Sequence, residues 1–225
     1  PLDPPQSARA CPVIALENAG GIRNTTSCGE RESIPIGSIH ASDIRDMLPF
    51  ATNQVVVVNI TGGELLLMLE RAVSILGQVG EAGAGGFFLQ VSGMRFEVDC
   101  AGTAQQLDPK NERILARGAR VNPLTVTVGG VPLDLAATYP VALNSFVAGA
   151  KDGFLALAQR DGEDRVLRDG SGAVLTKDKR FVETGGARVS EADAVRRYVQ
   201  SREGQVVAPR IEGRILVAQS CIPTE

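Results

Sequence analysis

The stretch NAGGIR, Asn18 to Arg23, is the part of the sequence around which we interpret the rest of the chain. It follows the short apolar run Val13–Leu16, which is typical of a buried strand, and its paired glycines allow a tight turn at the strand's end. Such a turn would present Arg23, whose guanidinium can donate to a phosphate or carboxylate, and Asn18, whose amide can donate and accept. The alternative is an ordinary turn with a solvated arginine, and this stretch alone does not separate the two.

Composition restricts the class of protein. The chain has 225 residues, of which 44% are hydrophobic, so it can form one large domain or two small ones with a true core. Its net charge is -3 and it has no block of lysine or arginine, so neither nucleic acid nor an anionic membrane is an expected partner. No apolar run approaches the roughly 20 residues of a membrane-spanning helix. The start, Pro1 to Pro5, does not resemble a signal peptide, so if the protein is exported we expect its signal to have been removed.

Four cysteines, Cys11, Cys28, Cys100 and Cys221, and a single histidine, His40, limit the metal chemistry of the chain. The cysteines lack C-x-x-C spacing, so a structural zinc site is poorly supported, and one histidine is too few for a histidine-rich dinuclear site. The even count fits two disulfides in an oxidising compartment, although four buried thiols in a cytosolic protein would look the same. We predict a Cys100–Cys221 bridge because each residue ends an apolar, strand-like run, which would leave Cys11 and Cys28 near one another across the first turn.

Hydrophobic patterning predicts a single α+β domain, with mixed β-sheets and packed helices, over residues 13–225, and a tail or truncated linker over residues 1–12. The clearest strand is Gln54–Ile60, which is continuous and β-branched enough to be covered on both faces. Thr61 and Glu64 then form a capping box at the start of a helix that ends at Gly77. The remaining predicted elements are a helix at 41–48 with His40 as a cap or surface residue, strands at 87–91, 94–98, 113–115, 124–128 and 139–143, and a hairpin turn at Gly129–Gly130.

The glycine-rich segment Gly80–Gly86 has the composition of a phosphate-binding loop but not its context. No predicted strand precedes it and no predicted helix follows it, so we do not predict a phosphate cradle. We expect a hinge or lid loop instead.

The segment Asn144–Phe154 begins at the end of a predicted strand and carries Phe146 before Asp152. An aromatic ring on a loop can stack on a nucleobase, and a carboxylate can accept hydrogen bonds from two vicinal hydroxyls. Each residue also has a structural interpretation, Phe146 as a core residue and Asp152 as a turn acid. Together with Phe50 and Arg23 they supply groups that can bind the base, the sugar hydroxyls and the phosphate of a nucleotide.

The motifs Asn18–Arg23, Leu48–Phe50, Ile60–Leu65, Phe88–Gly93 and Asn144–Phe154 follow one another along the chain. In this order and context they resemble the C-terminal domain of the 5'-nucleotidase family, which includes bacterial UDP-sugar hydrolases and animal ecto-5'-nucleotidases. The later segments Glu183–Gly185, Glu191–Val199 as a helix and Glu212–Ile215 as a closing strand are similar to the end of that domain. The resemblance covers about Val13 to Val217.

The resemblance implies a division of labour. An N-terminal metallophosphatase domain of the same chain would hold two divalent metals and hydrolyse the phosphate ester, while this domain would grip a nucleotide or nucleotide sugar. By position, Phe50 and Phe146 would sandwich the base, Asp152 would bind the ribose hydroxyls, Arg23 would meet phosphate or sugar oxygens, and Asn18 would touch the base or hold the loop. No catalytic residue, metal ligand or cofactor is then expected within these residues.

The same resemblance implies secretion, to the periplasm or the extracellular space. The alternative function is a non-catalytic nucleotide or nucleoside binding module that kept the fold and lost hydrolysis. One departure concerns Ala150 and Lys151, which stand where family members often have glycines. If those positions need a positive φ, we expect a strained or differently shaped loop.

Overall fold

The computed structural model describes residues 13–23, 25–26, 29–30, 37–77, 85–202, 204, 206–208 and 210–222. The predicted tail at 1–12, the predicted proximity of Cys11 and Cys28, and residues 80–84 of the expected lid loop lie outside these residues. The α-helices are α1 (Ala41–Met47), α2 (Gly62–Val73) and α3 (Glu191–Gln200). The strands are β1 (Ile14–Asn18), β2 (Thr25–Thr26), β3 (Gly29–Glu30), β4 (Val55–Thr61), β5 (Leu89–Ser92), β6 (Met94–Val98), β7 (Gln106–Leu107), β8 (Ile114–Ala116), β9 (Thr127–Val128), β10 (Val131–Pro132), β11 (Thr138–Asn144), β12 (Lys179–Phe181), β13 (Glu183–Thr184), β14 (Ala187–Arg188) and β15 (Ile215–Val217).

The larger sheet has the strand order β12-β4-β11-β1-β5 and mixes parallel with antiparallel neighbours. β1 runs parallel to β11 and antiparallel to β5, and β4 is antiparallel to both β11 and β12. Val56 to Val58 and Ile60 of β4 are buried, which confirms that this strand is covered on both faces along most of its length. Because β1 and β11 are parallel neighbours, their last residues, Asn18 and Asn144, lie at the same edge of the sheet.

α2 begins with the predicted capping box. The Thr61 backbone N–H donates to Glu64 Oε2 at 2.9 Å, and the Glu64 backbone N–H donates to Thr61 Oγ1 at 3.2 Å. Glu64 also pairs with Lys177, whose Nζ lies 2.7 Å from Glu64 Oε1. The regular helix ends at Val73, and a turn continues the chain to Gly77. The core face of α2 consists of Leu65, Leu67, Met68, Leu69, Ala72 and Val73, all of them buried.

The smaller sheet has the order β10-β9-β6-β15, with β6 and β15 parallel. The chain passes from the larger sheet to the smaller one at Gly93, between β5 and β6. Cys100 and Cys221 follow β6 and β15, and they form the predicted disulfide with a Cα–Cα distance of 4.8 Å. Parallel pairing explains this contact, because it brings the carboxyl ends of the two strands together although the cysteines are 121 residues apart.

Several predicted boundaries move in the structure. Phe87 and Phe88 precede β5 instead of belonging to it. The predicted strand at 124–128 is reduced to β9, because Pro123 lacks an N–H and Asn122 Oδ1 accepts from the Leu124 backbone N–H at 3.0 Å, which favours a 3-10 turn. The closing strand begins at Ile215, later than predicted.

Helices α1 and α3 pack against one another beside the larger sheet. His40 is the N-cap residue of α1, as predicted, and its backbone N–H donates to Asp43 Oδ2 at 2.8 Å. Ser190 caps α3 by accepting from the Asp193 backbone N–H at 3.1 Å. The architecture is a single α+β domain of mixed sheets with packed helices. In the described part of the chain, no helix has the length and apolar character needed to cross a membrane.

Candidate functional site

Two asparagines form the centre of the candidate site at the shared edge of β1 and β11. Asn144 Nδ2 donates to Asn18 Oδ1 at 2.8 Å and to Glu17 Oε1 at 3.1 Å, and Asn144 Oδ1 accepts from the Val147 backbone N–H at 2.8 Å. Asn18 and Asn144 are only 3% and 1% exposed. These buried amides therefore act mainly on the protein itself, by holding the start of the loop that follows β11.

Asn18 also reaches the two segments that flank this edge. Its Nδ2 donates to the Gly86 carbonyl at 3.3 Å and to Asp152 Oδ2 at 3.5 Å. The Gly20 backbone N–H donates to the same Gly86 carbonyl at 2.7 Å, and a Cβ on Gly20 would lie 3.0 Å from that oxygen. A side chain at position 20 would thus push the two segments apart. Of the two roles predicted for Asn18, its contacts are those of a residue that holds the loops.

Asp152 lies in a tight turn, Lys151–Gly153, between short 3-10 helices at Val147–Gly149 and Leu155–Leu157. Ala150 and Asp152 have positive φ values of 55° and 57°, and Gly153 has a φ of 80°. The Asp152 side chain is half-buried. Burial raises the pKa of its carboxyl, while the Arg71 guanidinium and the Asn18 hydrogen bond oppose that rise.

Arg23 and Phe50 lie together, the first just after the first turn and the second just after α1. The Arg23 guanidinium carbon is 5.3 Å from the centre of the Phe50 ring, within the range of a cation–π contact. The Arg23 backbone N–H donates to the Met47 carbonyl at 2.8 Å, which ties the turn to the end of α1. Both side chains are exposed, so each can reach a ligand.

Phe50 and Phe146 are each 40% exposed. Phe146 is therefore not the core residue that the structural interpretation predicted. The loops that carry the two rings are joined by Gln54 and Ser145: the Ser145 backbone N–H donates to the Gln54 carbonyl at 2.8 Å, and the Gln54 backbone N–H donates to Ser145 Oγ at 3.1 Å. This pairing holds two exposed aromatic residues on neighbouring loops.

Three contributors were not predicted from the sequence. Asn144 could have been found, because two apolar predicted strands both end in asparagine. If such strands pair in parallel, their last residues lie close together. Arg71 lies within α2 and donates from Nε to the Asp152 carbonyl at 2.8 Å; its position in the helical pattern carries no signal of that contact. Glu191 at the start of α3 faces Glu17, and this pairing also has no local signature.

The carboxyl of half-buried Glu17 and that of buried Glu191 form an acidic pair beside Asn144. Glu191 is 7% exposed, and neither of its carboxyl oxygens accepts a hydrogen bond within the described part of the chain. Burial, followed by the charge and hydrogen bond of Glu191, raises the pKa of Glu17 to about 9. A protonated Glu17 can donate a hydrogen bond to a carboxyl oxygen of Glu191, which removes the repulsion between two negative charges.

The described residues offer no resident metal centre. They contain no group of three or more histidine, cysteine, aspartate or glutamate side chains placed to hold an ion. The residues at this edge instead supply exposed aromatic faces, a half-buried carboxylate, a guanidinium and backbone groups. This set suits the recognition of an organic ligand with a ring, hydroxyl groups and a negative charge.

Comparisons with known proteins agree with the fold. The family model described as "5'-nucleotidase, C-terminal domain" matches residues 6–159. The chain is 30% identical over 158 residues to the "Probable 5'-nucleotidase" of Treponema pallidum, a match that covers 68% of this chain and 23% of that protein. It is 31% identical over 144 residues to the "Apyrase" of Tabanus yao, covering 63% of this chain and 22% of that protein.

A solved structure supports the same assignment. The crystal structure of a 5'-nucleotidase precursor from Thermus thermophilus superposes with a TM-score of 0.63 and 34% sequence identity, over 92% of this chain and 32% of that one. The chain therefore belongs to the 5'-nucleotidase C-terminal domain family. It spans less than a quarter of the length of the two curated relatives named above.

Proposed function

We propose that this chain is the nucleotide-recognition domain of a secreted, metal-dependent hydrolase of the 5'-nucleotidase family. Its substrate would be a nucleotide or a nucleotide sugar, and an N-terminal metallophosphatase domain with two divalent metals would hydrolyse the phosphoester. The observation that carries the proposal is the grouping of Asn18, Asp152 and the exposed Phe146 around one edge of the larger sheet. Family membership and the names of the relatives, 5'-nucleotidase and apyrase, support it.

The chemistry of each side chain suits one part of a nucleotide. An ionised Asp152 can accept hydrogen bonds from the two vicinal hydroxyls of ribose, and Asn18 holds that carboxylate from the protein side. Phe50 and Phe146 can each offer a ring face to the base. Arg23 can donate two parallel hydrogen bonds to a phosphate, since its guanidinium is exposed.

The proposed compartment is periplasmic or extracellular. The Cys100–Cys221 disulfide supports it, because structural disulfides persist in oxidising compartments and are rare in the cytosol. The catalytic metals are assigned to a separate domain because the chain has one histidine and its described residues contain no group of side chains placed to hold a metal ion.

Calorimetric titration of this chain with the 5'-monophosphates of adenosine, guanosine, cytidine and uridine, and with a UDP-sugar, tests the proposal. We expect saturable binding of at least one of them and no phosphate release with added Mg²⁺, Mn²⁺ or Zn²⁺. Asp152→Asn should weaken binding, while Asp178→Asn, which changes an exposed aspartate before β12, should not. Absence of binding across the panel would refute nucleotide recognition, and metal-dependent hydrolysis by the chain would refute the division of labour.

A further inference from the structure

Arg71 connects the Asp152 turn to α2 and to the segment that precedes β5. Its Nε donates to the Asp152 backbone carbonyl at 2.8 Å, and its guanidinium carbon lies 3.9 Å from the centre of the Phe87 ring. A guanidinium can do both at once, because it donates in its plane and stacks through its face. Arg71 is partly buried, so this arrangement is shielded from water.

The turn that Arg71 contacts is under backbone strain. Ala150 and Asp152 take left-handed conformations, with φ values of 55° and 57°, which residues other than glycine adopt less readily. Such conformations persist where surrounding contacts hold them. The carbonyl that Arg71 holds belongs to the strained residue Asp152. Gly153 makes this approach possible, since a Cβ there would lie 2.9 Å from Arg71 Nε.

Arg71 also acts on the charge of Asp152. Burial raises the pKa of the Asp152 carboxyl, and the opposing influences are the positive charge of Arg71 on α2 and the hydrogen bond from Asn18 on β1. Lys151, the neighbour in the turn, is exposed. A carboxylate accepts two hydroxyl donors only when it is ionised, so Arg71 favours the form that can bind a diol.

We propose that Arg71 is a positioning residue that sets the preference of the site for sugars with vicinal hydroxyls. It holds the backbone carbonyl of Asp152 in the left-handed turn, while Asn18 contacts the carboxylate of the same residue. This inference rests on the proposed nucleotide recognition. It assigns to Arg71 no contact with the ligand.

The test compares binding of ribonucleotides with binding of their 2'-deoxy counterparts. The probes are adenosine, guanosine, cytidine and uridine 5'-monophosphates and the four 2'-deoxy forms, titrated into this chain and its Arg71→Gln and Arg71→Lys variants. Arg120→Gln is the matched control, because Arg120 Nη1 donates to the carbonyls of Val73, Ser74 and Leu76 just after α2 and, among the described residues, makes no hydrogen bond to the Asp152 turn.

We expect Arg71→Gln to weaken ribonucleotide binding about tenfold and to leave 2'-deoxynucleotide binding nearly unchanged. Its ribonucleotide binding should also fail at a higher pH than in the wild type, because Asp152 loses the charge that opposes its protonation. Arg71→Lys retains the positive charge but not the planar guanidinium. We expect it to have a smaller ratio of ribonucleotide to 2'-deoxynucleotide affinity than the wild type, while the pH at which half of its ribonucleotide binding is lost stays the same. In an Asp152→Asn background, Arg71→Gln should have no further effect.

The outcomes separate this inference from the function on which it rests. If the wild-type chain binds none of the probes, the proposed function fails. If the wild-type chain binds the probes with a preference for ribose and both Arg71 variants keep that preference, the inference about Arg71 is overturned while the proposed nucleotide recognition stands. Should Arg71→Gln not fold, an unchanged ribose preference in Arg71→Lys is sufficient to overturn it. Arg120→Gln should lower the melting temperature and keep the wild-type ratio of ribonucleotide to 2'-deoxynucleotide affinity. Loss of that ratio in Arg120→Gln would show that any disturbance near α2 has this effect and would overturn the specific role of Arg71.

Discussion

At the residue scale, the loop after β11 contains a non-glycine residue, Ala150, in the left-handed conformation next to the candidate site. From the resemblance we expected strain at Ala150 and Lys151 if those positions need a positive φ, and the structure gives Ala150 a φ of 55°. Lys151 lies inside a 3-10 turn and is not among the residues with positive φ. The expected strain is therefore present at one of the two positions. The left-handed conformation of Ala150 is held in place by the residues on either side of the turn, because Ala148 and Phe154 are buried in the core.

Replacement of Phe146 by alanine separates a binding role from a packing role. Because Phe146 is 40% exposed, Phe146→Ala should melt near the wild-type temperature, while the loss of one stacking face should weaken nucleotide binding by about tenfold. Phe154 in the same loop is 1% exposed, so Phe154→Ala should lose about 3–5 kcal/mol of unfolding free energy. Thermal melts and titrations of both variants make the comparison. A Phe146→Ala protein that melts early and binds normally would remove Phe146 from the site.

At the scale of elements, the larger sheet and α3 meet through two carboxyl groups. Glu17 lies on β1 and Glu191 at the first position of α3, and Glu17 Oε1 accepts from Asn144 at 3.1 Å. Two ionised carboxylates at this partly buried contact would repel one another, so the contact is favoured when Glu17 is protonated. The same Asn144 holds Asn18, and therefore the packing of α3 is coupled to the edge that carries the candidate site.

This pair predicts how stability depends on pH. The pKa of Glu17 rises from its ordinary value of 4.5 to about 9 on folding, so between these values the native state binds a proton that the unfolded state has released. Its contribution to stability is therefore complete below pH 4.5 and is lost as the pH rises toward 9, by at most about 1.4 kcal/mol per pH unit.

Glu17→Gln tests this dependence, because the amide resembles the protonated acid and does not titrate. We expect the variant to be about as stable as the wild type near pH 5 and more stable near pH 8, by urea denaturation at each pH. Glu183→Gln changes an exposed glutamate on β13 and should follow the wild type throughout. Parallel stability curves for wild type and Glu17→Gln would contradict the raised pKa of Glu17.

At the scale of the whole molecule, the disulfide links segments that are far apart along the chain. Cys100 follows β6 and Cys221 follows β15, and the parallel pairing of these strands keeps the end of the described chain on the smaller sheet. The hydrophobic core continues across both sheets and includes residues of β1, α2, β6 and the loop after β11. A change that destabilises one sheet should therefore lower the free energy of unfolding of the whole domain.

Removal of the bridge should lower global stability. The cross-link spans 121 residues, and in the chain-entropy model a loop of that length stabilises the fold by about 5 kcal/mol. The Cys100→Ala/Cys221→Ala variant should show this loss in urea denaturation, and reduction of the wild type should reproduce it. Modification of Cys100 and Cys221 by a thiol reagent in unfolded, unreduced protein would show instead that the two residues are not bridged.

The sequence by itself determined what depends on neighbours along the chain. Continuous β-branched residues indicated β4, the Thr61 and Glu64 pair indicated the start of α2, and motif order indicated the family. These signals are local, since strand and helix patterns and caps act over a few residues. The roles of Asn18, Arg23, Phe50, Phe146 and Asp152 in binding stay predictions from that motif order.

Only the tertiary structure decided which distant residues meet. The parallel pairing of β1 with β11 places Asn18 beside Asn144, and the packing of α2 and α3 brings Arg71 to Asp152 and Glu191 to Glu17. No local pattern encodes these contacts, because they depend on strand order and on the path of the chain between elements. The burial that shifts the pKa of Glu17 and Asp152 likewise exists only after the core has formed around them.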